Sequence, residues 1–213
     1  MTNISLNNVL PSFLSDTSVV SEIWGKDIVF AKGEYSLVTA VSGVGKSSLL
    51  SYIFGERCDF SGTIAYDGQG LEAIKADCWS AIRRRHISYV FQGLRLFSDL
   101  TALENVLVKN RLTQQKSEAE IHAMFDALCL ADKKQEKAAR LSFGQLQRVA
   151  IIRALCQPFD FLLLDEPFSH LDEMNISVAT ALIEQEVQSR KAGLLLCSLG
   201  QEYPFNYHHK FKL

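Results

Sequence analysis

The chain has 213 residues, enough for one domain with a sizeable core and too few for two independent folds. Its 22 Lys and Arg stand against 24 Asp and Glu, a formal charge of -2, which argues against the broad basic surface of a protein that lives on nucleic acid. The five cysteines, at 58, 78, 129, 156 and 197, are odd in number and never in CxxC spacing; this argues against a disulfide framework and a zinc site, and buried reduced thiols are expected.

The N-terminal MTNISLNNVLPSFLSDTS has no basic start followed by an apolar run, and no stretch approaches the roughly 18 apolar residues that span a bilayer, so a soluble, cytosolic chain is expected. Two β-rich pieces come first, Ile4 to Leu10 and Asp27 to Phe30. Tyr35 to Ala40 then reads as a buried strand that runs into the glycine loop AVSGVGKSS, Ala40 to Ser48. From Lys46 to Phe54 the text is helical, with no breaker before Gly55, so the loop lies at a strand–loop–helix junction. Gly62 to Asp67 and His86 to Phe91 read as strands, and Thr101 to Lys109 and Ser117 to Leu130 as helices, the second preceded by a polar loop from Thr113. Phe161 to Asp165 is a buried strand ending on an acid, and Glu173 to Arg190 a helix with Ile176, Ala179, Ile183 and Val187 on one face. Gly193 to Cys197 and His208 to Leu213 close the chain as an apolar strand and an edge strand. The alternation predicts an α/β sheet, whose ligands gather beyond the strands' carboxyl ends, where the glycine loop and Asp165-Glu166 both fall.

A loop that holds phosphate must turn several backbone N–H groups inward at a helix N-terminus, which requires glycine where the chain takes positive φ or passes close to the ligand. Gly43 and Gly45 answer that need, Lys46 can reach the β and γ phosphates, and the Ser47 hydroxyl can ligand Mg²⁺. The expected nucleotide contacts on this loop are Ser42, Gly43, Val44, Gly45, Lys46, Ser47 and Ser48. Ala40 stands where a first glycine is usual, which is acceptable if its φ is negative. In FLLLDEP, Asp165 can hold Mg²⁺ through water, and Glu166 can polarise or deprotonate an attacking water.

A third segment, LSFGQLQR from Leu141 to Arg148, resembles the signature of ATP-binding cassette (ABC) ATPases, with Phe143 in place of the more variable glycine. The resemblance covers nearly the whole chain. It implies an α/β P-loop NTPase fold of ABC type, a RecA-like core with an N-terminal antiparallel β-subdomain and a helical signature subdomain over roughly residues 95–150, all one domain spanning 1–213. It implies that Ser142, Gly144 and Gln145 face a γ-phosphate bound by another subunit, that Gln92 in YVFQ is the Q-loop glutamine touching Mg²⁺ or the attacking water, and that Ser169 to Asp172, SHLD, is the D-loop. Phe13 lies where an aromatic would stack on adenine. The implied catalytic set is Glu166, Gln92 and Lys46, with Ser47, Gln92 and Asp165 as metal ligands and ATP and Mg²⁺ as cofactors. The segment RRRHISYVFQGLRLFSDLTALENV also resembles the branch that serves lipoprotein release, macrolide efflux and cell division.

One departure bears on turnover. Members of the family place a histidine after the strand that here ends at Cys197, and this chain has Ser198, or Leu199 if the register slips by one. The expectation is an ATP-hydrolysing transporter subunit with intact ATP binding and reduced or partner-dependent hydrolysis. Its expected partners are integral membrane subunits and a second ABC ATPase subunit, as homodimer or heterodimer, and not nucleic acid; its expected place is the inner face of the plasma membrane, peripheral and cytoplasmic. The alternatives are an ATP-binding regulatory cassette with little turnover in a heterodimer, or a soluble ABC ATPase without transport, whose members carry a coiled-coil insertion or second cassette that this chain lacks.

Overall fold

The computed structural model describes residues 1–14, 20–41 and 43–213. In chain order, β1 (Asn3–Pro11) leads through a short 3-10 turn (Ser12–Leu14) to β2 (Ile28–Ala31), β3 (Tyr35–Thr39) and α1 (Lys46–Ile53). Then follow β4 (Phe60–Tyr66), β5 (Gln69–Gly70), α2 (Ala76–Arg85), β6 (Ile87–Val90), α3 (Ala102–Asn110) and α4 (Glu118–Ala127). The last third holds α5 (Phe143–Leu155), β7 (Phe161–Asp165), α6 (Glu173–Arg190), β8 (Gly193–Ser198) and β9 (His209–Lys212).

The strands form two sheets, an antiparallel one in the order β2-β1-β4-β5 and a parallel one in the order β6-β7-β8-β3-β9. Every residue of β7, FLLLD, and of β8, GLLLCS, is buried, because helices and the antiparallel sheet cover both faces of the parallel one. Alternate side chains divide between two cores. Leu162, Leu164, Leu194 and Leu196 pack towards α3 to α6, while Phe161, Leu163, Leu195 and Cys197 pack towards α1 and β1. The helical stripe read in the sequence is seen in α6, where Ala179, Ile183 and Val187 are fully buried, and β9 forms the sheet edge expected of the final strand.

Two local signals set the helix starts. Thr101 caps α3 and Ser117 caps α4, each in a reciprocal capping box with the glutamate three residues on, Glu104 and Glu120. The structure differs from expectation at α2, which was not foreseen. No residue of α2 is fully buried, and the partly buried Trp79 and Ile82 that pack against the core are too few for a helical stripe to stand out in the sequence. It is pinned instead by Arg83, which lies 5.0 Å from the Trp79 ring and 5.2 Å from the Phe54 ring and donates to the carbonyls of Phe54 and Gly55. The thiols also differ. Cys156 and Cys197 are buried and free as expected, but Cys58, Cys78 and Cys129 are exposed, because they sit on loops and on the solvated helix rather than on core-facing positions.

Candidate nucleotide site

Parallel β3 delivers the chain to its carboxyl end at Thr39, where the loop must reverse into α1 within six residues. Gly43 and Gly45 take φ of +87° and +106°, values that L side chains resist, and Gly45 caps α1 in the left-handed region. Ala40 is not among the residues of positive φ, so its methyl group meets no backbone penalty. Its N–H donates to the Ser198 carbonyl at 3.2 Å, tying the loop's start to the end of β8. Ser42 lies outside the described residues.

Lys46 opens α1 and folds back under the loop, its Nζ donating to the carbonyls of Ala40 at 3.1 Å and Val41 at 3.0 Å. It also stands 3.6 Å from Oε1 of Glu166, and both side chains are largely buried. Glu166 takes φ of +49°, a left-handed conformation costing about 1–2 kcal/mol in a non-glycine residue. Its N–H donates to the Cys197 carbonyl at 3.0 Å, and its carbonyl accepts from Ser169 N–H and from Gln147 Nε2, both at 3.4 Å.

Asp165, at the end of β7, is 2 % exposed, and burial raises its carboxyl above the ordinary value; the Glu166 charge adds to this, while the Lys46 charge opposes it. Its Oδ2 accepts a long contact from Tyr89 at 3.5 Å, while its Oδ1 is buried with no hydrogen-bond partner. Nearby the Ser47 hydroxyl donates to Oε1 of Gln92 at 3.4 Å. A buried carboxylate oxygen without a donor, a hydroxyl and an amide oxygen form an all-oxygen set that suits Mg²⁺. Among the described residues no three His, Cys, Asp or Glu side chains gather as a metal cluster.

These groups converge on one cleft, lined by Phe13, Gly43, Gly45, Lys46, Ser47, Ser48, Gln92 and Glu166, with a volume of about 190 Å³. Phe13 sits on the 3-10 turn after β1 rather than in a strand, and its ring is 47 % exposed, so it serves no core. A Cβ on Gly45 would stand 3.3 Å from Phe13 and 3.2 Å from Trp24, which shows how closely both rings approach the loop. Sequence reading passed over Trp24. It is buried beneath the loop and its indole N–H donates to the Val44 carbonyl at 3.3 Å, a contact made across 20 residues of chain that no local pattern signals.

Ser142, Gly144 and Gln145 do not line this cleft. They form the first turn of α5, where Ser142 and Gln145 make a reciprocal capping box. Gly144 faces its own chain's SHLD segment, and a Cβ there would stand 2.8 Å from the His170 carbonyl oxygen. The Phe143 ring packs on His170 with centroids 4.3 Å apart. Gln147, quoted in the sequence motif but assigned no role there, is buried and bonds three groups of the 166–170 segment. At the end of β8, the Ser198 hydroxyl is buried and donates to the Gln201 carbonyl at 2.5 Å, whereas Leu199, just beyond the strand, is 55 % exposed.

Residues 27–169, more than half of the chain, match the family described as ABC transporter. The chain belongs to this family. An uncharacterised ABC transporter ATP-binding protein of Mycobacterium tuberculosis is 30% identical over 188 residues, 87% of this chain and 57% of the relative, so the chain spans little more than half that relative's length. The lipoprotein-releasing system ATP-binding protein LolD of Zymomonas mobilis is 34% identical over 180 residues, covering 80% of this chain and 77% of the relative. Among solved structures, the dimeric bacterial ABC transporter cassette MJ0796 superposes with a TM-score of 0.79 at 26% identity, over 92% of this chain and 88% of that one. The same cassette in a post-hydrolysis state bound to ADP and Pi gives a TM-score of 0.75. The two sheets and helices described above are thus those of an ABC cassette, the α/β P-loop fold expected from the motifs.

Proposed function

We propose that this chain is the ATP-binding and ATP-hydrolysing subunit of an ABC transporter, closing as a dimer around ATP to drive conformational change in membrane partner subunits. The observation that carries this reading is that the cleft is half a site. Its 190 Å³ falls below the roughly 300–1,000 Å³ of typical ligand pockets, and the signature residues lie elsewhere on the same chain. A second cassette presenting Ser142, Gly144 and Gln145 would complete it, an arrangement supported by the dimeric cassette that this fold resembles.

In this reading the Phe13 ring stacks on the base, and the amides of Gly43 to Ser48 and the ammonium of Lys46 neutralise the phosphates. The Lys46 ammonium, already directed by the carbonyls of Ala40 and Val41, keeps one N–H for phosphate oxygen. Ser47, Gln92 and Asp165 would hold Mg²⁺, which supplies positive charge against the phosphates when bound. Glu166 orients and polarises the attacking water, accepting its proton as ATP and water become ADP and phosphate. Catalysis rests on positioning and electrostatics rather than on a covalent intermediate.

Turnover in this reading is reduced or partner-dependent. The Ser198 hydroxyl is committed to Gln201, and the side chain of Leu199, exposed just beyond it, has neither donor nor acceptor for phosphate or water. The same observation favours a second reading, a regulatory cassette that binds ATP and pairs with a more active one. Beside Gln92, a groove with Phe54, Phe91 and Phe97 on its walls also holds Arg95, Lys109 and Arg153. Burial, together with the charge of Arg153, lowers the Lys109 ammonium below its usual range, so a carboxylate on the membrane partner's docking segment would be welcome there.

The deciding experiment is Mg²⁺-dependent hydrolysis by the purified chain with and without Glu166→Gln. ATP binding in both proteins, with turnover only in the wild type, supports an ATPase; turnover indifferent to Glu166→Gln, or no ATP binding, overturns it. A wild-type rate as high as that of cassettes that keep the histidine removes the attenuation.

A further inference from the structure

Gln147 is 1 % exposed on the second turn of α5, and its side-chain amide touches three groups of one short segment. Nε2 donates to the Ser169 hydroxyl oxygen at 3.0 Å and to the Glu166 carbonyl at 3.4 Å, while Oε1 accepts from the His170 N–H at 3.1 Å. The segment it holds begins at Glu166, whose left-handed backbone aims the carboxylate at Lys46. Two packing contacts run beside these bonds. Gly144 lies close beneath the His170 carbonyl, and the Phe143 ring packs tilted against the His170 ring, so the first turn of α5 and residues 166–170 form one rigid unit.

We infer that Gln147 is a positioning residue, which transmits the placement of the signature turn to the carboxylate of Glu166. The inference rests on the hydrolytic reading above and extends it. The turn that a second chain's nucleotide would engage is tied through one buried amide to the carboxylate that acts on this chain's own nucleotide. An amide is required because the segment offers both a donor, His170 N–H, and an acceptor, the Glu166 carbonyl. A glutamate in its place keeps the first contact and loses the second; a methionine of similar length loses both.

The test compares wild type, Gln147→Met and Gln147→Glu as full chains, measuring kcat, ATP Kd at equilibrium, Tm, and amide hydrogen exchange of residues 166–170. The expected result is a kcat about tenfold lower in both variants, with Kd within about twofold of wild type and faster exchange in 166–170, most at His170 in Gln147→Met. Unchanged kcat, or a Kd that worsens as much as kcat, reduces Gln147 to a generic packing residue and overturns the assignment. If Gln147→Met does not fold, Gln147→Glu carries the comparison by the same criteria. Absent Glu166-dependent turnover in wild type refutes the hydrolytic reading alone; unchanged exchange at 166–170 refutes the tie whatever the turnover.

Discussion

Lys46 Nζ stands 3.6 Å from Glu166 Oε1, held there by the carbonyls of Ala40 and Val41. The pair joins the two halves of the cleft, the loop after β3 and the acidic end of β7. Lys46→Ala removes a buried cation proposed to face the phosphates, a charge-assisted contact worth about 1.5–3 kcal/mol. ATP affinity should fall roughly 10- to 100-fold by calorimetry, and an unchanged Kd would mean that the loop is not the site.

Phe13 and Trp24 both approach Gly45, but only Phe13 has an open face. Base stacking on an aromatic ring contributes about 1–3 kcal/mol. Phe13→Ala should therefore weaken ATP at least fivefold while leaving the affinity for inorganic tripolyphosphate unchanged, because the ring is proposed to meet the base and not the phosphates. Equal losses for both ligands would place Phe13 in the loop's support instead.

Position 199 is open and position 198 is closed, since Leu199 is exposed and the Ser198 side chain is buried against Gln201. Leu199→His should raise steady-state ATP turnover about tenfold with little change in Kd, as an imidazole gains reach to phosphate and water. Ser198→His should instead lower stability by overfilling a buried position. A turnover unmoved by Leu199→His would show that the missing imidazole does not limit the rate.

Asp160, at the opposite end of the parallel sheet from the cleft, gathers Lys32, the Met1 amino group at 2.8 Å and His86 Nδ1 at 2.6 Å. Burial alone would raise its carboxyl, but the hydrogen bonds from Lys32, Met1 and His86 outweigh it and hold the pKa at about 2, against an ordinary 3.8. The folded value lies below the unfolded one, so the cluster's contribution is complete above about pH 4 and is lost as pH falls towards 2. Asp160→Asn should cost about 1 kcal/mol at pH 7 after allowance for solvent screening of Lys32 and His86. It should also flatten the acid limb of the stability curve between pH 4 and 2, measured by urea unfolding.

Much of the cassette is legible along the chain because its signals are local. Glycines at positive φ, a lysine opening α1, an acid ending an apolar run and a serine three residues before Gln145 each report a backbone conformation set by near neighbours. These determine that the chain holds a strand–loop–helix for phosphate, a second acidic strand end and a capped signature helix. Tertiary structure alone decided the remainder. It put Trp24 beneath Val44, Phe13 on an open turn and α2 on the surface, left three cysteines exposed, closed position 198 while opening 199, and set Gln147 against Glu166. Each of these depends on segments that meet only when the parallel sheet closes, and on side chains that pack or bond across distances over which composition and periodicity carry no information.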